Sequence, residues 1–498
     1  MYTVRMSGRA LKMSRRVIPL IAAALLAGLS GWAQPPLYDT VIANGRVIDP
    51  ESKTDAVRNV GISNGKIRSI SAAPLQGRDV IDAKGLVVAP GFIDLHWHGL
   101  DPATDRFEVM DGVTASLELE IGVADVDKAY AAREGRSLIH HGFAAGHPAA
   151  RMIALGEADG WTKLLPNAEA ARLVATPEQV TQMKSLIEAQ LKKGAVAVGF
   201  GLAYTPVADY SEVLEMFRVA SRFKASCHVH IRGGSTGGAN SDNRVKGVSE
   251  MIAASAITGA AVQIVHINSS GMEKTAELLR MIGDARSRGI DISTEAYPYT
   301  AGCTDIRAAF FDEYGSRPDK DFEVLQWVAT GERLNRESFN KYRQRGGLVI
   351  VHGNTEERVH TAILSPLSMI ASDGFDLSPG QGHPRSSGTF SRILSKYVRE
   401  ESSLSLTEAI RKMALMPAQR LELRVPSMKD KGRIRLGADA DIAVFDALKV
   451  ADKSTYEKPD TMSDGMRYVL VDGVTVVSKG TVVGGRFPGK GIRAPRVE

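Results

Sequence analysis

The alternation of apolar and polar positions divides the chain into parts with different periodicities. Over residues 34–90, short β-rich runs such as DTVIANGRVID and DVIDAKGLVVAP are separated by Asn-Gly and Lys-Gly, which predicts hairpins in a small sheet. The same pattern of short β-rich runs and tight turns recurs over residues 426–498, for example in GRIRLGADADIAVFD. We therefore expect both chain ends to build one small β-sandwich around an inserted middle domain.

Residues 91–425 show a different pattern, in which apolar runs alternate with helical periodicity. The apolar runs are GVTASLELEIG, AVAVGFGLAY, ASCHVHIR, AVQIVHIN, DISTEAYPY, GLVIVHGN and SMIASDG. Seven or eight strand-then-helix units predict an α/β fold of the TIM type, a (β/α)8 barrel. Residues 304–347 are predicted to be an insertion over the barrel mouth, either a lid or an oligomer contact.

Composition excludes several classes of protein. A chain of 498 residues that is 44% hydrophobic can bury a large core. Five basic residues within the first 33 account for the whole formal charge of +5, so no basic surface for nucleic acid is expected.

Residues 1–33 combine a basic start, an apolar run and a cleavage-site pattern of small residues, which predicts a signal peptide and a secreted or periplasmic protein. No later run is long enough to span a membrane.

The segment PGFIDLHWHG introduces the candidate chemistry, because His-x-His at a strand end puts His96 and His98 on one face. Further candidates at later strand ends are Glu118 or Glu120, His228 or His230, His266, and Asp373. In a barrel of this type the carboxyl ends of the strands meet at one rim. Imidazole and carboxylate ligands without thiolates suit Zn²⁺, with Mn²⁺ or Fe²⁺ also allowed, as one ion or two.

Glu118 and Glu120 share one face by strand alternation, and only the position of Glu120 nearer the strand end favours it. The two cysteines, Cys227 and Cys303, lie in apolar contexts that favour free thiols over a disulfide. Sequence position alone does not choose between His228 and His230.

Ten segments in order resemble the D-aminoacylases, the N-acyl-D-amino-acid deacylases of the amidohydrolase superfamily. The segments are PGFIDLHWH, GVTASLELE, GFGLAYTP, HIR, VHINSSG, TEAYPYTAG, MIASDG, HPRSSGTFSRIL, KMALMPAQRL and GADADIAVFD. The resemblance extends to the D-glutamate deacylase subgroup, which shares LELE, AFFDE and LQWVATGERL. It covers essentially the whole mature length and implies a zinc-dependent hydrolase that cleaves linear amide bonds.

The resemblance also implies roles for single residues. The positions that match the family's metal ligands are His96, His98, His230, His266 and Asp373. Typical members carry a metal-binding cysteine on the second barrel strand, where this chain has none, and Glu120 is expected to replace it and to bridge two ions. His228 then becomes a structural residue. Asp373 is also expected to be the catalytic group that moves the proton from water to the leaving amine.

The carboxylate of an amino acid product requires fixed cations and hydroxyls. Candidates for binding it are Tyr204, Arg232, Tyr297, Tyr299 and Arg385. The resemblance places Tyr204, Tyr299 and Arg385 at substrate-binding positions of the family. Asn268 stands where typical members have a lysine, which puts the ordinary preference for hydrophobic amino acids in doubt and leaves N-acyl-D-glutamate as the leading substrate.

Two other interpretations stay open at this point. A hydrolase of cyclic amides or isoaspartyl dipeptides would use the same ions, and a metal-free relative could serve as a binding or assembly module. The expected partner is a small N-acyl amino acid, and a homo-oligomer is allowed by the sequence.

Overall fold

Two large sheets dominate the computed structural model, which describes Met1 and residues 37–233 and 242–497. Apart from Met1, the predicted signal segment 1–33 lies outside the described residues. The strands are β1 (Leu37–Asp49), β2 (Thr54–Ser63), β3 (Lys66–Ser71), β4 (Gln76–Asp82), β5 (Val87–Pro90), β6 (Phe92–Asp94), β7 (Val113–Val123), β8 (His140–Gly146), β9 (Val198–Gly201), β10 (Cys227–His230), β11 (Val262–Ile264), β12 (Ile292–Ala296), β13 (Ala301–Asp305), β14 (Leu325–Trp327), β15 (Leu348–His352), β16 (Ser368–Ile370), β17 (Ile442–Phe445), β18 (Met466–Val471), β19 (Val474–Ser478) and β20 (Thr481–Val482).

Helices connect most of the barrel strands. The α-helices are α1 (Asp105–Met110), α2 (Val126–Arg133), α3 (His147–Ala154), α4 (Glu169–Arg172), α5 (Pro177–Lys192), α6 (Tyr210–Arg222), α7 (Asp242–Thr258), α8 (Ile267–Gly271), α9 (Thr275–Ser287), α10 (Arg336–Arg345), α11 (Glu356–Leu364), α12 (Arg385–Arg392), α13 (Leu406–Ile410) and α14 (Met416–Leu421). Short 3₁₀ helices cover Pro102–Thr104, Ala158–Trp161, Met272–Lys274, Ala309–Ser316, Asp319–Phe322 and Pro426–Asp430, and π-helical turns cover Ile393–Glu400 and Arg411–Leu415. Within the described ranges, no helix combines the length and apolar character that a bilayer crossing requires.

Eight parallel strands form the predicted barrel, in the order β16-β12-β11-β10-β9-β8-β7-β6. The ring is nearly closed, because the segments that follow β6 and β16 meet where Trp97 bridges Gly374. The His98 amide also donates to the Gly374 carbonyl at 2.7 Å. The closing contact therefore lies beside the predicted His-x-His pair and beside Asp373.

The helices pack on the barrel through one apolar stripe each, as α5 illustrates. Thr176 caps its first turn by accepting the Gln179 amide, and Gln179 Oε1 in turn accepts the Thr176 amide. Met183, Ile187 and Leu191 lie at helical spacing and are buried in the main core.

Strands from both chain ends join in a second sheet of nine strands, as predicted. Its order is β20-β19-β18-β17-β5-β1-β2-β3, and β4 pairs with β1. β17 runs antiparallel to β5, so the last quarter of the chain is hydrogen-bonded directly to the first. A separate apolar cluster that includes Ile42, Val60 and Ile442 fills this domain.

The run GLVIVHGN is not a barrel strand, and that prediction is wrong. It forms β15, which lies between β13 and β14 in a separate three-stranded antiparallel sheet. An apolar run of this length is equally typical of any buried strand, so its periodicity does not reveal which sheet it joins. The small sheet, with α10 and the neighbouring 3₁₀ helices, encloses its own aromatic core, which includes Phe311, Tyr314 and Trp327.

Candidate metal centre

Six side chains predicted as ligands converge at the carboxyl ends of the barrel strands. They follow or end five of the strands: His96 and His98 after β6, Glu120 within β7, His230 at the last position of β10, His266 after β11, and Asp373 after β16. All are buried except His98, which is half-buried.

The first group of ligand atoms surrounds one position. The Nε2 atoms of His96 and His98 are 3.1 Å apart, and they lie 3.3 and 3.2 Å from Glu120 Oε2. Asp373 Oδ1 is 3.4 Å from each of the same two nitrogens. Two imidazoles and two carboxylate oxygens therefore face one another at nearly equal distances.

The second group uses the other oxygen of the same glutamate. Glu120 Oε1 lies 2.9 Å from His230 Nδ1 and 3.1 Å from His266 Nε2. The rings of these two histidines are in edge contact, with centroids 4.5 Å apart. Glu120 thus stands between both groups, which is the arrangement of a carboxylate that bridges two ions.

These distances fit a bound ion. Tetrahedral coordination with bonds of about 2.0–2.2 Å places ligand atoms about 3.3–3.6 Å apart, close to the spacing found in the first group. Imidazole nitrogens and carboxylate oxygens are donors that zinc and its first-row neighbours accept. The residues present could therefore hold one metal ion in the first group and a second beside Glu120.

Two of these residues have unusual backbone conformations. His266 has φ 31° and Asp373 has φ 53°, both in the left-handed region that non-glycine residues seldom adopt. Such conformations persist where the surrounding fold enforces them, commonly at functional sites. The hydroxyls of Ser269 and Ser270 lie 3.1 and 3.0 Å from His266 Nδ1, which leaves its Nε2 directed at Glu120.

Carboxylates outside the cluster orient His96 and His98, the first two of its ligands along the chain. His96 Nδ1 donates to Glu295 Oε1 at 2.5 Å, and Gln263 donates to the other oxygen of Glu295 at 2.8 Å. His98 Nδ1 donates to Glu118 Oε2, also at 2.5 Å. A carboxylate behind the imidazole fixes the tautomer in which Nε2 is free for a metal ion.

The structure separates the members of each alternative pair. Glu120 faces the cluster, whereas Glu118 Oε1 accepts the backbone amides of Ile121 and Gly122 at 3.0 and 3.2 Å. His230 likewise faces Glu120, whereas the ring of His228 is buried against the Ser226 hydroxyl at 3.1 Å.

Sequence reasoning missed Glu295, Gln263 and Asp94. Glu295 belongs to the TEAY run at the end of a predicted strand, a signal that could have revealed it. Asp94 Oδ1 accepts the amides of His96 and Ser372 at 3.0 and 3.1 Å, and its burial raises its pKa to about 6.

Electrostatics within the cluster favour ion pairing. Burial works against a charged His96, yet Asp373, Glu120 and Glu295 together raise the pKa of its imidazole well above the ordinary value. Burial also opposes ionisation of Glu120, but His96 and His230 hold its pKa well below the usual range. A metal ion must displace the proton from His96, so its affinity is expected to rise with pH.

Comparison with known proteins identifies the family. Residues 122–477 match the model of the amidohydrolase family. The chain belongs to that family.

Several relatives resemble this amidohydrolase over most of its length. N-acyl-D-glutamate deacylase of Alcaligenes xylosoxydans xylosoxydans is 29% identical over 88% of this chain and 93% of its own length. D-aminoacylase of the same organism is 27% identical over 88% of this chain and 94% of its own length. N-acyl-D-glutamate deacylase of Bordetella bronchiseptica, solved with zinc and a phosphonate inhibitor, superposes with a TM-score of 0.78 at 25% identity, covering 92% of this chain and 100% of that one.

The amidohydrolase has a cavity of about 330 Å³ on one side of the metal centre, here called the cationic cavity. His230, His266 and Asp373 of the metal centre are among its lining residues. Its other lining residues with charged or phenolic side chains are Tyr204, Tyr297, Tyr299, Tyr314, Arg317, Lys320, Asp321 and Arg385. The inserted small sheet and its 3₁₀ helices therefore contribute part of this cavity wall.

Arg385 is in direct contact with the metal centre. Its Nη1 lies 2.7 Å from Asp373 Oδ2, its Nη2 donates to the Cys303 carbonyl at 3.2 Å, and its guanidinium lies over the Tyr297 ring. Tyr204 packs edge-on against His230. Of the predicted substrate-binding residues, these three and Tyr299 line the cationic cavity.

Arg232 is not among the described residues that line the cationic cavity. Its guanidinium pairs with both carboxylate oxygens of Glu250, at 2.8 and 2.9 Å, and it donates to the Pro206 carbonyl at 2.8 Å. In this arrangement the pair of N–H groups that would bind a substrate carboxylate is already used by Glu250. The structure therefore does not support the predicted role of Arg232.

Replacing Glu295 with glutamine tests the outer carboxylate. We expect the metal affinity of the amidohydrolase to fall about 10- to 100-fold, because His96 loses the charged acceptor that fixes its tautomer. Competition with a chromogenic chelator measures the change. Glu277→Gln on α9 is the matched control, at a half-buried carboxylate that pairs with Lys274, and equal affinity in both variants would show that Glu295 has no such role.

Proposed function

We propose that this protein is a zinc-dependent hydrolase that cleaves the acyl amide bond of N-acyl-D-amino acids, with N-acyl-D-glutamate as the leading substrate. The observation that carries the proposal is the shared position of Glu120, whose two oxygens face two groups of histidines between 2.9 and 3.3 Å away. The similarity to an N-acyl-D-glutamate deacylase across 88% of the chain supports the substrate class.

In this proposal six residues hold the metal. They are His96, His98, Glu120, His230, His266 and Asp373. A bound divalent ion supplies Lewis acidity and lowers the pKa of water to about 7, so that hydroxide is present at neutral pH.

Asp373 is proposed as the group that moves the proton. The Arg385 guanidinium opposes the effect of burial and lowers the pKa of Asp373, which favours the ionised carboxylate that can accept a proton. It takes the proton from the attacking water and returns it to the nitrogen of the leaving amine. Arg385, 2.7 Å away, orients this carboxylate.

The cationic cavity is proposed to bind the amino acid part of the substrate. Arg317, Lys320 and Arg385 give it more cationic than anionic groups once Asp373 serves the metal centre. A substrate with an α-carboxylate and a side-chain carboxylate suits that excess of positive charge, because carboxylates pair with guanidinium groups at short range. This charge balance supports N-acyl-D-glutamate over a substrate with an apolar side chain.

The other interpretations are less well supported. A cyclic amide carries both of its substituents within one ring and needs one cavity, whereas two cavities meet at this metal centre. A metal-free binding module has no need for six converging ligand side chains, and all six are present.

The decisive experiment assays the purified protein on paired N-acetyl-D- and N-acetyl-L-amino acids while zinc per chain is measured by mass spectrometry. We expect hydrolysis of N-acetyl-D-glutamate, little hydrolysis of the L isomer, and one to two zinc ions per chain. Equal rates on both isomers would contradict the stereochemical assignment, and hydrolysis of a cyclic amide alone would replace the proposed substrate class.

We also propose export from the cytoplasm, for which the support is the basic and apolar pattern of residues 1–33. Fractionation of cells that produce the full chain, followed by N-terminal sequencing of the mature protein, tests this proposal.

A further inference from the structure

A second cavity of about 440 Å³ adjoins the metal centre and shares part of its lining with the cationic cavity. His98 and Glu120 of the metal centre are among its lining residues. Its apolar lining residues come from β7, the segment before α4, the inserted sheet and the segment after β16: Ile121, Leu164, Leu165, Pro166, Ala308, Leu348 and Phe375. We call it the acyl cavity, and nothing in the proposed function so far requires a space of this size.

The charged groups of the acyl cavity already have protein partners. Arg307 pairs with both oxygens of Asp305, at 3.2 and 3.0 Å, and Lys163 forms an ion pair with Asp159. The Asp376 carboxylate accepts two backbone amides and a threonine hydroxyl. With these charges paired within the protein, the acyl cavity offers a ligand its apolar residues, and it exposes more apolar than polar surface, as the cationic cavity also does.

The two cavities meet over the metal centre. Tyr204, Cys303, Thr304 and Asp373 line both of them. A linear amide held at this junction has its two substituents directed into different cavities. If the amino acid part lies with Arg385 in the cationic cavity, the acyl part enters the apolar one.

The volume of the acyl cavity exceeds the need of an acetyl group. A methyl group takes about as much space as a water molecule, roughly 30 Å³. The cavity of about 440 Å³ is within the range that accommodates drug-sized ligands, and seven carbons beyond the carbonyl would take up about half of it.

We propose that the acyl cavity binds a straight apolar acyl chain of medium length, about eight carbons, so that the preferred substrates are N-acyl-D-amino acids with acyl groups well beyond acetyl. This inference rests on the proposed function and assigns the second half of the substrate. Apolar walls favour binding of a longer acyl chain, because each methylene that the cavity removes from water raises the affinity for the substrate about fourfold.

The first test compares kcat/KM of the zinc-loaded protein for N-acetyl-, N-butanoyl-, N-hexanoyl- and N-octanoyl-D-glutamate. We expect at least a thirtyfold rise from acetyl to octanoyl, which corresponds to burying about half of the six added methylenes in a cavity that opens to solvent. A flat or falling series with good acetyl turnover would overturn the acyl-cavity proposal and leave the proposed function standing. No turnover of any member would overturn both.

The second test narrows the cavity at Leu348, the first residue of β15, which lines the cavity although it is 37% exposed. We expect Leu348→Trp to reduce the octanoyl-to-acetyl ratio of kcat/KM at least tenfold. Leu448→Trp, at an exposed leucine that lines neither cavity, is the matched control and should keep the ratio. Because the readout is a ratio within one variant, partial loss of folded protein does not change it.

A further variant and a further substrate separate an apolar chain from other occupants. Leu165→Asp places a charge on the apolar wall and should lower the same ratio at least tenfold. D-glutamate acylated by alanyl-alanine is expected to react more slowly than the octanoyl substrate. Faster reaction of this peptide would overturn the assignment of an apolar acyl chain. An unchanged octanoyl-to-acetyl ratio in both Leu348→Trp and Leu165→Asp would overturn it as well.

Discussion

Replacing Glu120 with glutamine is expected to remove at least one metal ion per chain and to lower kcat/KM at least about a thousandfold. Both carboxylate oxygens face histidine nitrogens, Oε2 toward His96 and His98 and Oε1 toward His230 and His266. An amide keeps one oxygen but loses the negative charge and the second acceptor. The change therefore weakens both groups of ligands at once, and the lost Lewis acidity accounts for the loss of rate.

The comparison that makes this result specific is Glu118→Gln. Glu118 lies two residues away on the same strand and contacts His98 Nδ1 rather than the atoms that face the metal position. We expect this variant to keep its full number of metal ions, with weaker binding of the order of 10- to 100-fold. Mass spectrometry of both variants after dialysis measures the metal content. Should Glu118→Gln lose the metal and Glu120→Gln retain it, the roles given to the two glutamates are reversed.

Asp373→Asn is expected to keep the metal and to lower kcat by about 10²- to 10⁴-fold. Asparagine keeps the size of the side chain and one oxygen, while His96, His98 and Glu120 still surround the first metal position. What is lost is the acceptor for the proton of the attacking water, a contribution of this magnitude in general acid–base catalysis. Steady-state rates and metal per chain, measured on the same preparation, test the prediction.

The pH dependence gives an independent readout for Asp373. Burial would raise the pKa of this carboxyl, but the Arg385 guanidinium lowers it, so the ionised proton acceptor is present above that lowered pKa. Its contribution is lost only as the pH falls through the lowered value. The Asn variant should therefore be slow throughout the neutral range. Asp284→Asn, at an exposed position on α9, is the control, and wild-type turnover by Asp373→Asn would remove Asp373 from the mechanism.

The sequence predicts the barrel well because parallel strands buried on both faces produce long apolar runs at regular spacing. The same physical fact explains the error at β15, whose apolar run is as continuous as those of the barrel strands although it lies in the inserted sheet. The pairing of both chain ends in one sheet was predictable, because both ends consist of short β-rich runs separated by tight turns. The order of its strands was not, since hairpin signals report neighbours along the chain and not partners across it.

The candidate ligands were predictable because each one lies near the end of an apolar strand or directly follows one. The residues behind them were not, since Glu295 is separated from His96 by 199 positions and contacts it only through the closed barrel. Glu118 and Glu120 are indistinguishable by alternation, and the three-dimensional position of each carboxylate is what separates them. Arg232 was predicted to bind substrate, but its side chain pairs with Glu250. Glu250 is a helical residue that no sequence motif connects to Arg232, so this pairing could not be predicted.

The pairing of β5 with β17 has a consequence for biosynthesis. β5 lies between β1 and β17 in the terminal sheet, so one of its edges stays without a partner until Ile442–Phe445 has left the ribosome. During that time the nascent chain exposes a strand edge that can recruit other chains, which makes shielding by a chaperone valuable. A product that stops short of Ile442 keeps this open edge permanently, so premature termination yields material prone to aggregation even if its barrel has formed.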